Sequence, residues 1–245
     1  MEVSITGAKI YYVIPGINYP ITQTVVNAWI AMVVIVGLCI WLTRGMQVHA
    51  RTKRQVVAEM IVQMAQNLVR GNMGAKWDSF VPFIAAILSM SVVSSLMGLT
   101  GAYSPTNDLN TFLAWGILVF VLITYHKIKA NGFGGYLKGF TEPIFVMTPM
   151  NIISEIATPV SMSLRHFANI CSGYVIGLLL YAALGAVSQI IFFWLPGSLG
   201  TIPFLQVGIP AVLNVYFSVF SGCVQPYIFC MLTMQFVAQA AGTEE

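Results

Sequence analysis

The sequence predicts an all-α integral membrane protein, with about five membrane helices plus one interfacial amphipathic helix, the last two helices forming a long, steeply tilted hairpin. Three observations predict it. Of 245 residues, 58% are hydrophobic and only 8% charged, against about 25% charged in soluble domains. The apolar residues gather into runs long enough to cross a hydrocarbon core about 30 Å thick. The last two runs, at 142–184 and 202–241, would each be roughly 60 Å long as continuous helices, about twice that thickness. They therefore break or tilt, and Pro149, Pro159, Pro210 and Pro226 are candidate kinks.

The chain reads as one membrane domain over 1–245. Residues 1–23 form an outside segment with no basic stretch leading into an apolar run, so no signal peptide is expected. The first span covers 24–43, and Arg44, Arg51, Lys53 and Arg54 follow it. In 51–70, Val56, Val57, Met60, Ile61, Met64 and Leu68 fall near one helical face, with Gln55, Glu59, Gln63, Gln66 and Asn67 over the rest. That pattern predicts a helix lying along the cytoplasmic face of the membrane.

The second and third spans are expected at 79–99 and 111–127, joined by a loop that holds Pro105 and Asp108 and no basic residue. Lys127, Lys129 and Lys138 follow the third span. The run Asn131-Gly132-Phe133-Gly134-Gly135 lacks a following Gly-Lys-Ser/Thr, which predicts a turn and not a phosphate loop. The basic residues are lopsided. Arg44, Arg51, Lys53, Arg54, Arg70 and Lys76 lie between spans one and two, the three lysines lie after span three, and only Lys9 falls on the other side. By the positive-inside rule the N-terminus is outside and Glu244 and Glu245 are cytoplasmic.

Several chemistries find no support. Cys39, Cys171, Cys223 and Cys230 lie in apolar segments without a CxxC pair and read as small buried hydrophobes. His49, His126 and His166 are scattered without metal-ligand spacing. No cofactor, metal or nucleic acid is expected, and no nucleotide motif is found.

One charge is out of place. From His166 to Thr243 the chain has no Asp, Glu, Lys or Arg, and between Pro143 and Leu164 only Glu155 is charged. Arg165 therefore sits inside a membrane run, where a guanidinium costs roughly 2.5–3.5 kcal/mol at the bilayer centre on insertion scales. Glu155 does not balance it. Ten helical residues leave the two about 80° apart around the axis and about 15 Å apart along it. Asn169 lies one turn after Arg165, and Gln225 sits centrally in the other long helix. These amides serve either as an interhelical hydrogen bond or as the wall of a polar path. His166 faces about 100° away from Arg165 and reads as a packing or lipid-interface residue.

The segment Pro159-Val160-Ser161-Met162-Ser163-Leu164-Arg165-His166-Phe167-Ala168-Asn169 resembles the arginine motif of subunit a of F-type ATP synthases. Gln55-Val56-Val57-Ala58-Glu59, Met97-Gly98-Leu99 with Pro105-Thr106-Asn107-Asp108-Leu109, Gly134-Gly135-Tyr136-Leu137-Lys138, and Gln225 with Phe229, Leu232 and Thr233 resemble other family segments, in the same order. The resemblance covers nearly the whole chain. It implies a stator subunit in a bacterial-type inner membrane, beside a rotating ring of subunit c and held by peripheral-stalk subunit b and other synthase subunits. Arg165 would face the ring's carboxylates and separate two offset half-channels. Asn169, Gln225, Tyr174, Ser218, Glu155, Asn151 and Ser154 would line those half-channels, and the ion would be a proton or sodium. ATP would be made on a separate soluble head.

The chain departs from the family pattern where titratable groups are common. Tyr174 stands where Glu or His is frequent, and Ser218 where His or an acid is frequent; neither titrates near neutral pH. Asn151 stands where many members have Glu, and His166 and Ala168 replace Leu and Gly. The rival reading is a stand-alone secondary transporter or channel using Arg165 as an anion site. The chain shows no inverted repeat and no matched pair of broken helices to favour it.

Overall fold

The computed structural model describes residues 9–16, 19–46, 52–99, 104–141, 145–192 and 204–242. The long helices dominate. Six α-helices appear in order among the described residues: α1 (Gln23–Thr43), α2 (Lys53–Met73), α3 (Val81–Leu99), α4 (Leu109–Thr141), α5 (Thr148–Phe192) and α6 (Phe204–Ala240). Among the described residues four stretches are long and apolar enough to cross a membrane, at Gln23–Thr43, Ala75–Gly98, Leu109–Thr141 and Phe145–Ser188. α6 adds 37 further helical residues.

The expected outside segment holds a feature that alternation alone does not signal. β1 (Ile10–Ile14) and β2 (Tyr19–Thr22) form an antiparallel hairpin, with Val13 opposite Pro20 and Ile14 opposite Tyr19. Its β-branched and aromatic residues favour the extended pleat, and the backbone N–H of Gln23 donates to Lys9 O, leading straight into α1.

The boundaries of the later helices differ from expectation. The third span does not stop at 127: α4 runs to Thr141, broken at Gly132, whose φ of 71° requires a residue without a Cβ. The glycine run is thus a bend between two helical pieces. The first long helix begins at Thr148 and reaches Phe192, so it is displaced toward the C-terminus relative to 142–184. Pro149 lies in its first turn, where a missing N–H is harmless, so it is no kink. Pro159 lies inside α5, which continues through it for a total of 45 residues, about 68 Å. α6 likewise runs through Pro210 and Pro226 without ending. The turn joining α5 to α6 lies outside the described residues, as do Glu244 and Glu245.

The core is organised around the C-terminal half of α6. Phe229, Cys230, Met234 and Val237 are buried there against Val69 and Met73 of α2, Ile84 of α3, Val119 and Ile123 of α4, and Met162 of α5. Among the described residues, two glycines sit where helices cross closely. A Cβ on Gly116 of α4 would strike Ser163 Oγ and come within 3.0 Å of Pro159 O on α5, and one on Gly222 of α6 would come within 2.7 Å of Ser95 Cβ on α3. Outside this core the surface is apolar: Val33, Val121, Leu179, Ile190 and Val212 are all exposed. Such a surface is stable against hydrocarbon and not against water. The cysteines divide between the two settings. Cys230 is buried as expected, whereas Cys39, Cys171 and Cys223 are exposed, because their helices turn those faces outward.

In α2 the protein-facing residues are Gln55, Ala58, Val69 and Met73. Val56, Val57, Met60, Ile61 and Met64, the apolar face read from the sequence, are exposed. Arg70 pairs bidentately with Asp78, Nε to Oδ1 at 2.7 Å and the terminal nitrogen to Oδ2 at 2.6 Å, bracing α2 against the approach to α3.

Candidate functional site

Arg165 lies on the outside of the bundle. It lines an open groove with Ala157, Val160, Ser161, Leu164 and Ala168, whose volume is about 450 Å³. Small side chains at Ala157, Ser161 and Ala168 leave room beside the guanidinium, while Val160 and Leu164 are exposed apolar neighbours. Among the described residues no carboxylate pairs with Arg165; the ion pairs there are Arg70–Asp78 and Lys127–Glu155. A permanent cation on an apolar face calls for a counter-charge from another molecule.

One turn further along α5, Asn169 Nδ2 donates to Gln225 Oε1 of α6 at 3.2 Å. The two amides that sequence spacing places on separate helices therefore meet. Close by, His166 is 1% exposed, with its ring 4.1 Å from that of Phe112 and 6.2 Å from that of Phe229. Its Nδ1 makes no hydrogen bond. Of the two roles read from the sequence, packing is the one the structure gives it. Tyr174 and Ser218 lie on the helical backbone of α5 and α6, and their side chains are outside the described residues.

On the other side of α5 a polar cavity of about 520 Å³ opens among α4, α5 and α6. Asn151, Ser154 and Glu155, the three residues singled out on this stretch, all line it, together with Thr158, Lys127, Tyr136 and Gln239. Thr158 lines the cavity and the adjacent Ala157 lines the Arg165 groove, so the two open on different sides of the same turn of α5. Asn151 Nδ2 donates to Phe140 O at 2.9 Å, anchoring the start of α5 to the end of α4. Lys127 Nζ donates to Glu155 Oε2 at 2.5 Å. In the sequence Lys127 is legible only as a topology marker; its ion-pair partner is 28 residues away.

A second polar region, also missed from the sequence, lies between α3 and α6. Ser91 and Ser95 have buried hydroxyls without partners, and Ser95 packs on Gly222, one turn before Gln225. Beside it Ser104 Oγ donates to Ser94 O at 2.6 Å and shares a 2.6 Å contact with Thr106 Oγ1. The spacing of Ser91, Ser94 and Ser95 on one helical stripe is the signal that could have found it.

Apolar helices of spanning length, an intramembrane arginine and a polar cavity at one end define a multi-pass membrane protein with a charged site in its apolar part. The family model of the ATP synthase A chain matches residues 25–238. Relatives include ATP synthase subunit a of Desulforamulus reducens, 31% identical over 96% of this chain and 84% of that protein. The subunit a of Bacillus pumilus is 30% identical over 88% and 90%. A sodium ion specific subunit a, from Propionigenium modestum, is 29% identical over 93% and 77%. The chain belongs to the ATP synthase subunit a family, the ion-translocating stator subunits of the membrane sector.

Proposed function

We propose that this chain provides two offset half-channels and the essential arginine of an ATP synthase, coupling transmembrane proton or sodium flow to rotation. The observation that carries the proposal is Arg165, exposed on an apolar face without a carboxylate partner among the described residues. A rotor ring of small subunits with membrane-embedded carboxylates supplies the missing charge one subunit at a time. Arg165 favours the ionised carboxylate as it passes and bars a direct leak between the half-channels. The α5–α6 hairpin follows the ring surface, which accounts for helices longer than a perpendicular crossing.

The cytoplasmic half-channel is assigned to the cavity lined by Asn151, Ser154 and Glu155. It lies at the end of the bundle that carries Lys127, Lys129 and Lys138, the cytoplasmic end by the positive-inside rule. The outer half-channel is assigned to Asn169, Gln225, Tyr174 and Ser218, extended by the buried hydroxyls of Ser91 and Ser95. The N-terminus is outside, the C-terminus cytoplasmic, and the exposed apolar face of α2 rests in the interface. Arg54, whose guanidinium lies 4.7 Å from the ring of Trp41, fits that depth. Subunit b completes the stator, and nucleotide chemistry resides on other subunits.

The test is ATP-driven pumping by the complete reconstituted complex. Arg165→Ala is expected to abolish pumping, with the ring still co-purifying. Full pumping by that variant, or substrate-dependent transport by the purified chain alone in liposomes, refutes the reading. Repeating the measurement with and without sodium at fixed pH identifies the coupling ion.

A further inference from the structure

The corner between α1 and α2 carries cations on the side of α2 that faces away from the protein. Lys53, Val57, Met60 and Met64 follow one another at steps of four, three and four residues, and Arg54, Val57 and Ile61 at steps of three and four, so they share one helical side. All of them are exposed, whereas Gln55, Ala58, Val69 and Met73 on the opposite side are buried. Two cations therefore head the exposed apolar stripe. The polar face is elsewhere. Glu59, the one acid in α2, lies about 120° from Lys53 and about 140° from Arg54 around the axis, and its Oε1 accepts from Gln55 Nε2 at 2.8 Å.

The end of α1 brings a third cation. The Arg54 guanidinium lies 4.7 Å from the centre of the Trp41 ring. Arg44, which caps α1, is exposed and follows Trp41 by about one turn, so both arginines belong to the end of α1 that carries this ring. Contact with the ring ties down the Arg54 charge without supplying an oxygen to its N–H donors. Among the described residues the ion pairs are Arg70–Asp78 and Lys127–Glu155, so no carboxylate answers this cluster. Cations that only kept α2 in water would sit on its polar face with Glu59 and Gln63. At the head of the apolar stripe they meet the layer where phosphates lie.

We propose that this corner is a binding site for an anionic phospholipid, an inference that rests on the interfacial placement of α2 given above. The phosphate is held by Arg44, Lys53 and Arg54, and an acyl chain lies along Val57, Met60, Ile61 and Met64. The arginine forks each take two phosphate oxygens, while Lys53 adds a point charge. A zwitterionic lipid brings its own ammonium, which the three cations repel, so the site selects lipids of net negative charge. The apolar stripe selects lipid over free phosphate, because a free ion has no chain to bury there.

The test uses the complete complex, reconstituted in phosphatidylcholine liposomes with a small share of phosphatidylglycerol that carries a photoactivatable acyl chain. Crosslinked residues are mapped by mass spectrometry, and a parallel sample carries the same label on phosphatidylcholine. Labelling within 57–64 is expected to be at least about tenfold stronger with phosphatidylglycerol and to fall with added salt, since each basic residue contributes roughly fivefold. Arg54→Gln is expected to lower that preference about fivefold. The triple exchange of Arg44→Gln, Lys53→Gln and Arg54→Gln is expected to erase it, while labelling by phosphatidylcholine persists. Lys129→Gln in α4 is the control and leaves the preference unchanged.

Equal labelling of 57–64 by the two lipids overturns the inference and leaves α2 in the interface. A preference kept by the triple variant also overturns it, as does displacement of the labelled lipid by inorganic phosphate. Absence of label on α2 with either lipid overturns the placement of α2 as well. If the triple variant does not assemble, competition by unlabelled phosphatidylglycerol against unlabelled phosphatidylcholine on the wild-type complex decides alone: equal competition overturns the site. Arg165→Ala is expected to label as the wild type does, so loss of pumping and loss of the lipid are separate results.

Discussion

Asn169 Nδ2 lies 3.2 Å from Gln225 Oε1, joining α5 to α6 one turn from Arg165. Gln225 is buried while Asn169 is exposed, so the bond runs from the core toward the groove side of the hairpin. Replacing either amide by Leu removes this interhelical bond. Each single variant is expected to lower pumping several-fold, and the double variant to be no worse than the poorer single. A double-mutant cycle on thermal unfolding of the complex should give a coupling of roughly 0.6–2 kcal/mol. Additive losses would mean that the two amides act independently.

At Arg165 the shape of the cation matters as well as its charge. Guanidinium presents a planar fork that meets a carboxylate through two bonds, whereas ammonium is a point charge on a flexible stem that gives up its proton more readily when desolvated. Arg165→Lys is therefore expected to pump at less than about a tenth of the wild-type rate. A lysine variant that pumps normally would show that charge alone suffices.

The crossing of α4 over α5 has no room for a side chain at Gly116. Gly116→Val is expected to destabilise the complex by about 1–3 kcal/mol, read as a fall in Tm in detergent. A Cβ added to Gly37 in α1 would meet nothing within 4 Å, so Gly37→Ala serves as the control, with Tm unchanged or raised. Equal Tm values for the Gly116 variant and the wild type would contradict the close crossing.

His166 packs against Phe112 with the rings tilted by 31° and edge-on against Phe229, without using its Nδ1. A leucine fills a similar volume and brings no polar atom to be satisfied. His166→Leu is expected to keep pumping within about twofold of wild type and to keep the same pH profile between about pH 5.5 and 8.5. A changed profile would place the imidazole in the ion path.

Much of the fold was legible because membrane insertion is written into composition and run length. The spans, the position of α2 between the first two of them and the excessive length of the last two helices all follow from where apolar runs start and stop. Boundaries were less legible. Lys127 and Lys129 suggest the end of a span, yet α4 passes through them to a bend at Gly132, because a helix ends where the backbone turns and not where the charges begin. The hairpin at Ile10–Thr22 was missed because two strands of a few residues each carry too short a pattern to stand out beside long helices.

The site divides in the same way. Arg165 was found from sequence alone, since one permanent charge in a nearly chargeless run is conspicuous however the chain folds. The improbability of an Arg165–Glu155 pair also followed from helix geometry, because both residues lie on one helix and their separation is set by its pitch. Lys127 and Glu155, Asn169 and Gln225, and Ser95 and Gly222 belong to different helices. Spacing along the chain says nothing about such meetings. They depend on which faces the helices present and how closely small residues let the backbones approach. The sequence by itself determined that this is a membrane protein with a cation in its apolar part; packing decided which polar groups lie near that cation and which carboxylate is held by a lysine instead.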